Sequence, residues 1–190
     1  MKHKILYSSF IAFLLLVVSW QSPQDPTIGI FEGNSDIGSV KHKGSVDFDA
    51  TDNSYKISGS GTNMWFNSDE FHFAWKKMSG DVSIEATIEM LGEGVDPHRK
   101  ACLMIRQSLE PDAAYVDVAV HGDGLTSMQY RKTKGGLTHE VKSNIMAPKK
   151  ALLQKNGEYV SMQLASEDGG FSLAGGSLRF VFEETFYIGL

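Results

Sequence analysis

The sequence predicts an all-β protein, an antiparallel sandwich or barrel, and three observations carry that reading. Beyond position 27, apolar residues recur with period two in runs of five to nine, the pattern of half-buried strands. No stretch shows the 3.6-residue spacing of a helix. The runs are broken by Gly, Asn and Asp, with Asp123-Gly124 and Asn156-Gly157 as hairpin signals. No repeat of fixed period appears, which argues against a propeller or solenoid within this chain.

Taken in order, IGIFEGNSDIG (28–38) is an entry segment with a Gly-rich turn. GSVDFDATDNSYKISGSG (44–61) reads as two strands about a turn at Thr51-Asp52-Asn53. EFHFAWKKM (70–78) follows, then a Ser79-Gly80-Asp81 turn and DVSIEATIEML (81–91). HRKACLMIRQSL (98–109) is the next strand, ended by Pro111-Asp112. AAYVDVAVHG (113–122) and LTSMQYRKT (125–133) flank Asp123-Gly124, and GLTHEVKSN (136–144) gives a weaker strand. Residues 151–176 contain Asn156-Gly157 and then Asp168-Gly169-Gly170, and SLRFVFEETFYIGL closes the chain, for roughly ten strands at sandwich-like spacing.

The first 19 residues have a different character. Lys2, His3 and Lys4 precede an almost unbroken apolar run over residues 5–18, the layout of a secretory signal peptide. The run is shorter than the ~20 residues of a membrane span. Uncleaved, it would serve as an N-terminal anchor; either way the protein is expected to be exported, to a periplasmic, cell-surface or extracellular location. WQSPQDPT (20–27) reads as a linker, and 28–190 as one domain. Cleavage after Ser19 would remove two basic residues and no acidic one, moving the net charge from −5 to −7. With no basic run, nucleic acid and anionic membrane are poor partners. The single cysteine, Cys102, lies in the strand-like KACLMIR and reads as a small buried hydrophobe.

Sorting side chains by the two-residue period gives faces. Val82, Ile84, Ala86, Ile88 and Met90 share one; Val116, Val118 and Val120 share another. Phe71, Phe73 and Trp75 follow the same alternation and read as a core stripe rather than a ligand platform. His72 is then expected to point away from the core, together with Glu85, Glu89, Arg106, Tyr115, Asp117, His121, Gln129 and Arg131. If these strands neighbour one another, one sheet carries a polar face rich in groups that bind specifically and free of Lys.

At this point the motifs resemble a known family. GSGTNMWFNSDEFHFAWKKMSGDVSIEATI, KACLMIRQSL and AAYVDVAVHGDGLTSMQYRKTKGG are similar to the concanavalin-A-like domain of bacterial secreted proteins, of the laminin-G-like or "regulation of enolase" type. The pattern runs through Trp65, Asp69, Phe71, Phe73, Gly80, Asp81, Lys100, Ala101, Met104, Ile105, Arg106, Ser108, Gln129, Tyr130 and Arg131. It covers about residues 30–190. The resemblance implies a two-sheet antiparallel jelly-roll sandwich with a concave face. It also implies a module that accompanies carbohydrate-active or TolB-like propeller proteins, with carbohydrate binding as the common function by analogy of fold. In that family sequence like TFYIGL runs on into a further closing strand, so the domain is expected to be C-terminally truncated at Leu190, with an unpaired edge.

The residues weigh against catalysis. The E-x-D-x-x-E string of sugar-cleaving sandwiches is absent. Glu85 and Glu89 share a face, but at ~3.4 Å rise their backbones are ~13 Å apart. Carboxyl pairs of glycosidases stand ~5 Å or ~6.5–9.5 Å apart. His72, His98, His121 and His139 lack zinc spacing. Calcium has Asp36, Asp47, Asp49, Asp52 and Asp96 to draw on, but no loop has EF-hand spacing, and no other cofactor is indicated. Sugar sites pair an aromatic plate with planar hydrogen-bonding groups, so Trp65, Tyr115, Arg106, Asp117 and Gln129 are the principal candidates. The expected function is non-catalytic glycan recognition. Interaction with an envelope or secreted protein comes second, and glycoside hydrolysis or lysis third.

Overall fold

A computed structural model describes residues 28–94, 96–165 and 169–190. The signal-like stretch and the linker lie outside the described residues, as does Asp168 of the predicted turn. The described residues form thirteen strands and no helix. They are β1 (Gly33–Ile37), β2 (Ser45–Asp49), β3 (Ser54–Ser58), β4 (Phe71–Met78), β5 (Val82–Thr87), β6 (Lys100–Arg106) and β7 (Tyr115–His121). β8 (Thr126–Arg131), β9 (His139–Lys142), β10 (Lys150–Asn156), β11 (Tyr159–Ala165), β12 (Phe171–Arg179) and β13 (Phe186–Gly189) complete the set.

All pairings are antiparallel. Seven strands form one sheet in the order β1-β4-β13-β6-β7-β8-β9, four form a second in the order β12-β11-β10-β5, and β2-β3 is a separate hairpin. The turn chemistry is where the sequence places it: Asn53 takes a left-handed φ of 56° between β2 and β3, and Gly124 and Gly157 take 91° and 56° in their hairpins. The run 81–91 is strand only to Thr87, and Glu89 lies exposed beyond it. Phe186–Gly189 is an interior strand rather than an edge, paired with β4 on one side and β6 on the other.

One apolar cluster draws from both sheets. Ala74, Leu103, Ile105, Val116, Val118, Met128 and Ile188 of the larger sheet meet Ile84, Ala151, Leu153, Val160, Met162 and Leu164 of the smaller. The smaller sheet therefore lies against one face of the larger. The face assignments within β5 to β8 hold, since Val116, Val118 and Met128 enter this cluster while Tyr115, Asp117, Gln129 and Arg131 point away from it.

The aromatic stripe is core, but on the other side. Ala74 belongs to the shared cluster, so its neighbours Phe73 and Trp75 face the opposite way. Phe73 packs with Ile37, Met64, Met104 and Tyr115 in a second apolar cluster, bordered by Phe71, Trp75 and Cys102. The stripe thus shares its face with Arg106 and Asp117 instead of opposing them. This corrects two expected site residues. His72 points to the face occupied by Ala74, where Nδ1 lies 2.7 Å from Asp36 Oδ1 and Nε2 3.1 Å from Asn34 Oδ1. It is a buried brace between β1 and β4, packed against Gly44, where any Cβ would strike the ring. Burial opposes the charge on Asp36, but the His72 ring and the Gly44 amide hold this carboxyl below its usual range. Glu85 belongs to the smaller sheet, on its solvent side, paired with Lys150. The period-two pattern could not say which sheet β5 joins.

Candidate functional site

The outward face of the larger sheet carries a grid set by register. Met104, Asp117, Gln129 and Glu140 stand opposite one another across β6 to β9, and Arg106, Tyr115 and Arg131 form the adjacent row. The structure therefore brings six of the nine sequence-predicted residues onto one face: Arg106, Tyr115, Asp117, His121, Gln129 and Arg131. Trp65 is half-buried on a segment that crosses this face, and His72 and Glu85 are elsewhere.

The crossing segment, residues 59–70, acts as a strap. Its anchor is Asp69, which lies between two arginines. Arg131 donates through Nη2 to Oδ1 at 2.7 Å and through Nη1 to Oδ2 at 2.8 Å, and Arg106 Nη1 reaches Oδ2 at 3.2 Å. All three side chains are fully buried. The remaining guanidinium donors are also used. Arg106 bonds the Ser108 and Glu110 carbonyls, and Arg131 bonds those of Gly136, Ala113 and Phe66. The Tyr115 ring lies 6.0 Å from the Arg106 guanidinium and 5.1 Å from that of Arg131, and its hydroxyl donates to the Met64 carbonyl at 3.2 Å. Burial, and then the nearby carboxylates, push the Tyr115 phenol well above its usual range. Arg106, Tyr115 and Arg131 are thus committed to holding the strap down, and their donors are occupied within the chain.

Beyond the strap the face is polar and less committed. Asp117 Oδ1 accepts the Gln129 amide at 3.3 Å, while Oδ2 is buried without a partner. Gln129 Nε2 is spread over Ser127 Oγ at 3.3 Å and, at 3.5 Å each, Glu140 Oε1 and His121 Nε2. Its carbonyl Oε1 is the second buried atom without a partner. His121 Nδ1 lies 2.8 Å from the Leu125 carbonyl, which assigns the proton to Nδ1 and leaves Nε2 as an acceptor. Burial lowers the His121 pKa, in keeping with a neutral ring. Burial also pushes Asp117 up to about 8, against the opposing pull of the Gln129 amide and Lys100. The Cys102 thiol is raised by burial and by Asp117, so it stays protonated and is no nucleophile.

Around this floor stands a rim of Lys100, whose ammonium donates to Asn63 Oδ1 at 2.8 Å, with His98, Glu140 and Lys142. Lys100, Ser127 and Glu140 were not among the predicted site residues. Lys100 and Ser127 are strand residues on the face that alternation assigns to Arg106 and Gln129, so periodicity alone could have found them. Glu140 required the pairing of β9, the weakest strand in the sequence. Among the described residues no group of three or more His, Cys, Asp and Glu is gathered as a metal centre. Asp49, Asp52 and Asp96 accept backbone amides in their own turns. Comparisons with family models, with curated proteins and with solved structures return no match.

Proposed function

We propose that the chain is an exported two-sheet sandwich of the concanavalin-like, jelly-roll kind and a non-catalytic recognition module for hydroxyl-rich ligands, glycans first. The observation that carries the reading is the pair of buried oxygens without hydrogen-bond partners on register neighbours, Asp117 Oδ2 and Gln129 Oε1. Two buried polar oxygens without partners cost free energy in the empty protein, about 1–3 kcal/mol for each unmet group. Sugar hydroxyls both donate and accept, so an adjacent pair would satisfy the Gln129 carbonyl and a protonated Asp117 carboxyl once the side chains covering these buried atoms move aside, and the Lys100 and His121 rim offers a donor and an aromatic edge. The shared apolar core of the two antiparallel sheets supports the sandwich, and the basic-apolar N-terminal sequence supports export. The two acidic side chains of this face, Asp117 and Glu140, flank Gln129 on strands two apart, and the thiol beside Asp117, Cys102, is held protonated.

The test is a glycan-array screen of the full chain, with and without calcium, followed by Gln129→Leu and Asp117→Leu. Retention of a saccharide by the wild type and its loss in both variants, with melting temperatures no lower than the wild type's, is the expected result. A blank array with folded protein, or hits indifferent to both substitutions, overturns the reading.

A further inference from the structure

The smaller sheet has one edge that is not blunted. Natural edges avoid adding strands by being short, bulged or charged. β1 and β9 have five and four residues. β12 is deformed by a register shift opposite Gly175 and Gly176, both at positive φ. β5 has six residues in unbroken register with β10, contains no Pro or Lys, and its Glu85 is already neutralised by Lys150. Ile88 bonds Lys149 across this ladder, so by alternation the even residues of β5 pair with β10. The N–H and C=O groups of Ser83, Glu85 and Thr87 then point outward, where no strand among the described residues is paired with them.

Beside this edge the two sheets part to leave a cleft of about 360 Å³, floored by Phe31, Met78, Ile84 and Ile188. At its rim Ile30 is 61% exposed, Lys76 stands on one side, and the Asp81 carboxylate, 64% exposed, on the other. An added strand would therefore find three things together. The backbone ladder is continuous with the β5–β10 pairing. The apolar hollow lies on the inward side, where every second side chain of the strand would point. A carboxylate marks one end; its Oδ1 accepts the Gly157 amide at 2.7 Å, and Lys155 approaches only to 4.0 Å.

We propose that the free edge of β5 and the adjoining cleft bind an extended peptide segment of another protein, which pairs with Ser83, Glu85 and Thr87, seats a large aliphatic side chain in the cleft and sets a basic residue against Asp81. Main-chain bonds supply the affinity and the cleft supplies the selection. This surface is on the sheet that does not carry Asp117 and Gln129, so it stands or falls apart from the glycan reading.

The probe is a dye-labelled extended peptide, KTLTVT, with blocked ends, titrated into the full chain by fluorescence anisotropy. A twin N-methylated at alternate residues loses its ladder donors and serves as the control. Binding on the order of 0.1 mM is expected for so short a strand, with the Glu85 and Thr87 amides protected from hydrogen exchange on saturation. Ser83→Pro removes an outward donor without touching the β5–β10 ladder, a substitution that edge strands tolerate. It should weaken binding by about tenfold, while Ser83→Ala leaves it unchanged. No binding of the unmethylated peptide, equal binding of its methylated twin, or protection confined to other strands overturns the proposal.

Discussion

Replacing Asp69 by Asn tests the strap directly. The change keeps the shape of the side chain and removes its charge, leaving the Arg106 and Arg131 guanidiniums buried with no counter-ion. Breaking a buried pair from one side costs about 3–5 kcal/mol, because the surviving charge stays desolvated. Here two charges survive, but each keeps carbonyl partners: Ser108 and Glu110 for Arg106, and Gly136, Ala113 and Phe66 for Arg131. Those bonds place the expected loss at the lower end, about 3 kcal/mol. For a domain of this size that is a fall in melting temperature of about 6–12 °C. The assay is thermal and urea denaturation of the full chain, with hydrogen exchange at the strap amides. Protection at Asp69 and Thr138, which bond Pro111 and Phe66, should collapse before that of β6 and β7. Because the pair is fully enclosed, about 1 M salt should leave the wild-type value nearly unmoved. A loss below about 1 kcal/mol, or strap protection equal to wild type, would refute the reasoning. By the same logic Arg106→Ala removes a fully buried guanidinium bonded to Asp69, Ser108 and Glu110, and should cost as much as Asp69→Asn.

Other outcomes follow from the same contacts. Asp117 is a carboxyl whose folded pKa is raised to about 8, so its proton is held in the folded state and lost in the unfolded one between about pH 4 and 8. Stability therefore declines as pH rises through that window, by up to about 1.4 kcal/mol per unit, and Asp117→Asn should remove the decline. His121, lowered by burial, acts with the opposite sign near its ordinary range, so the decisive quantity is the wild-type minus Asp117→Asn difference in urea midpoint between pH 5 and 8. Gly61→Ala drives a Cβ into the Glu70 carbonyl oxygen, a backbone atom that cannot rotate away, and should lower the melting temperature by several degrees, on the order of 2 kcal/mol. Glu85→Ala breaks only a solvent-exposed pair with Lys150 and should change stability by less than about 1 kcal/mol in a denaturant titration.

Much of the fold was legible in the residues, and the reason is local. Period-two alternation assigned Val116, Val118 and Met128 to the shared core, and Asn53, Gly124 and Gly157 marked hairpins because few residues adopt their backbone angles. The relation between strands was less legible. Alternation says that Phe73 and His72 face opposite ways, but it does not say which face meets the second sheet, because both faces of β4 are buried. A strand covered on both sides carries no polar side to orient it. The same ambiguity moved Glu85, whose strand joins the other sheet. Within the candidate site, six of the nine expected residues share one face, yet Arg106 and Arg131 are spent internally on Asp69. The sequence shows Asp69 in the same motif, but only the path of the strap reveals that it closes onto residues far along the chain.

The position of β13 shapes how the molecule is assembled. This four-residue strand is the seam between β1-β4 on one side and β6-β7-β8-β9 on the other, and it comes from the last stretch of the sequence. Until Phe186–Gly189 arrives, the larger sheet is two unjoined halves, each with a raw interior edge. The hairpins β6-β7 and β7-β8 can zip early because their loops are short, while the seam must wait for the slowest search in the chain. A sheet that closes through its centre stays pliable until that seam forms. It is also a hazard if folding stalls with both raw edges open to a neighbour.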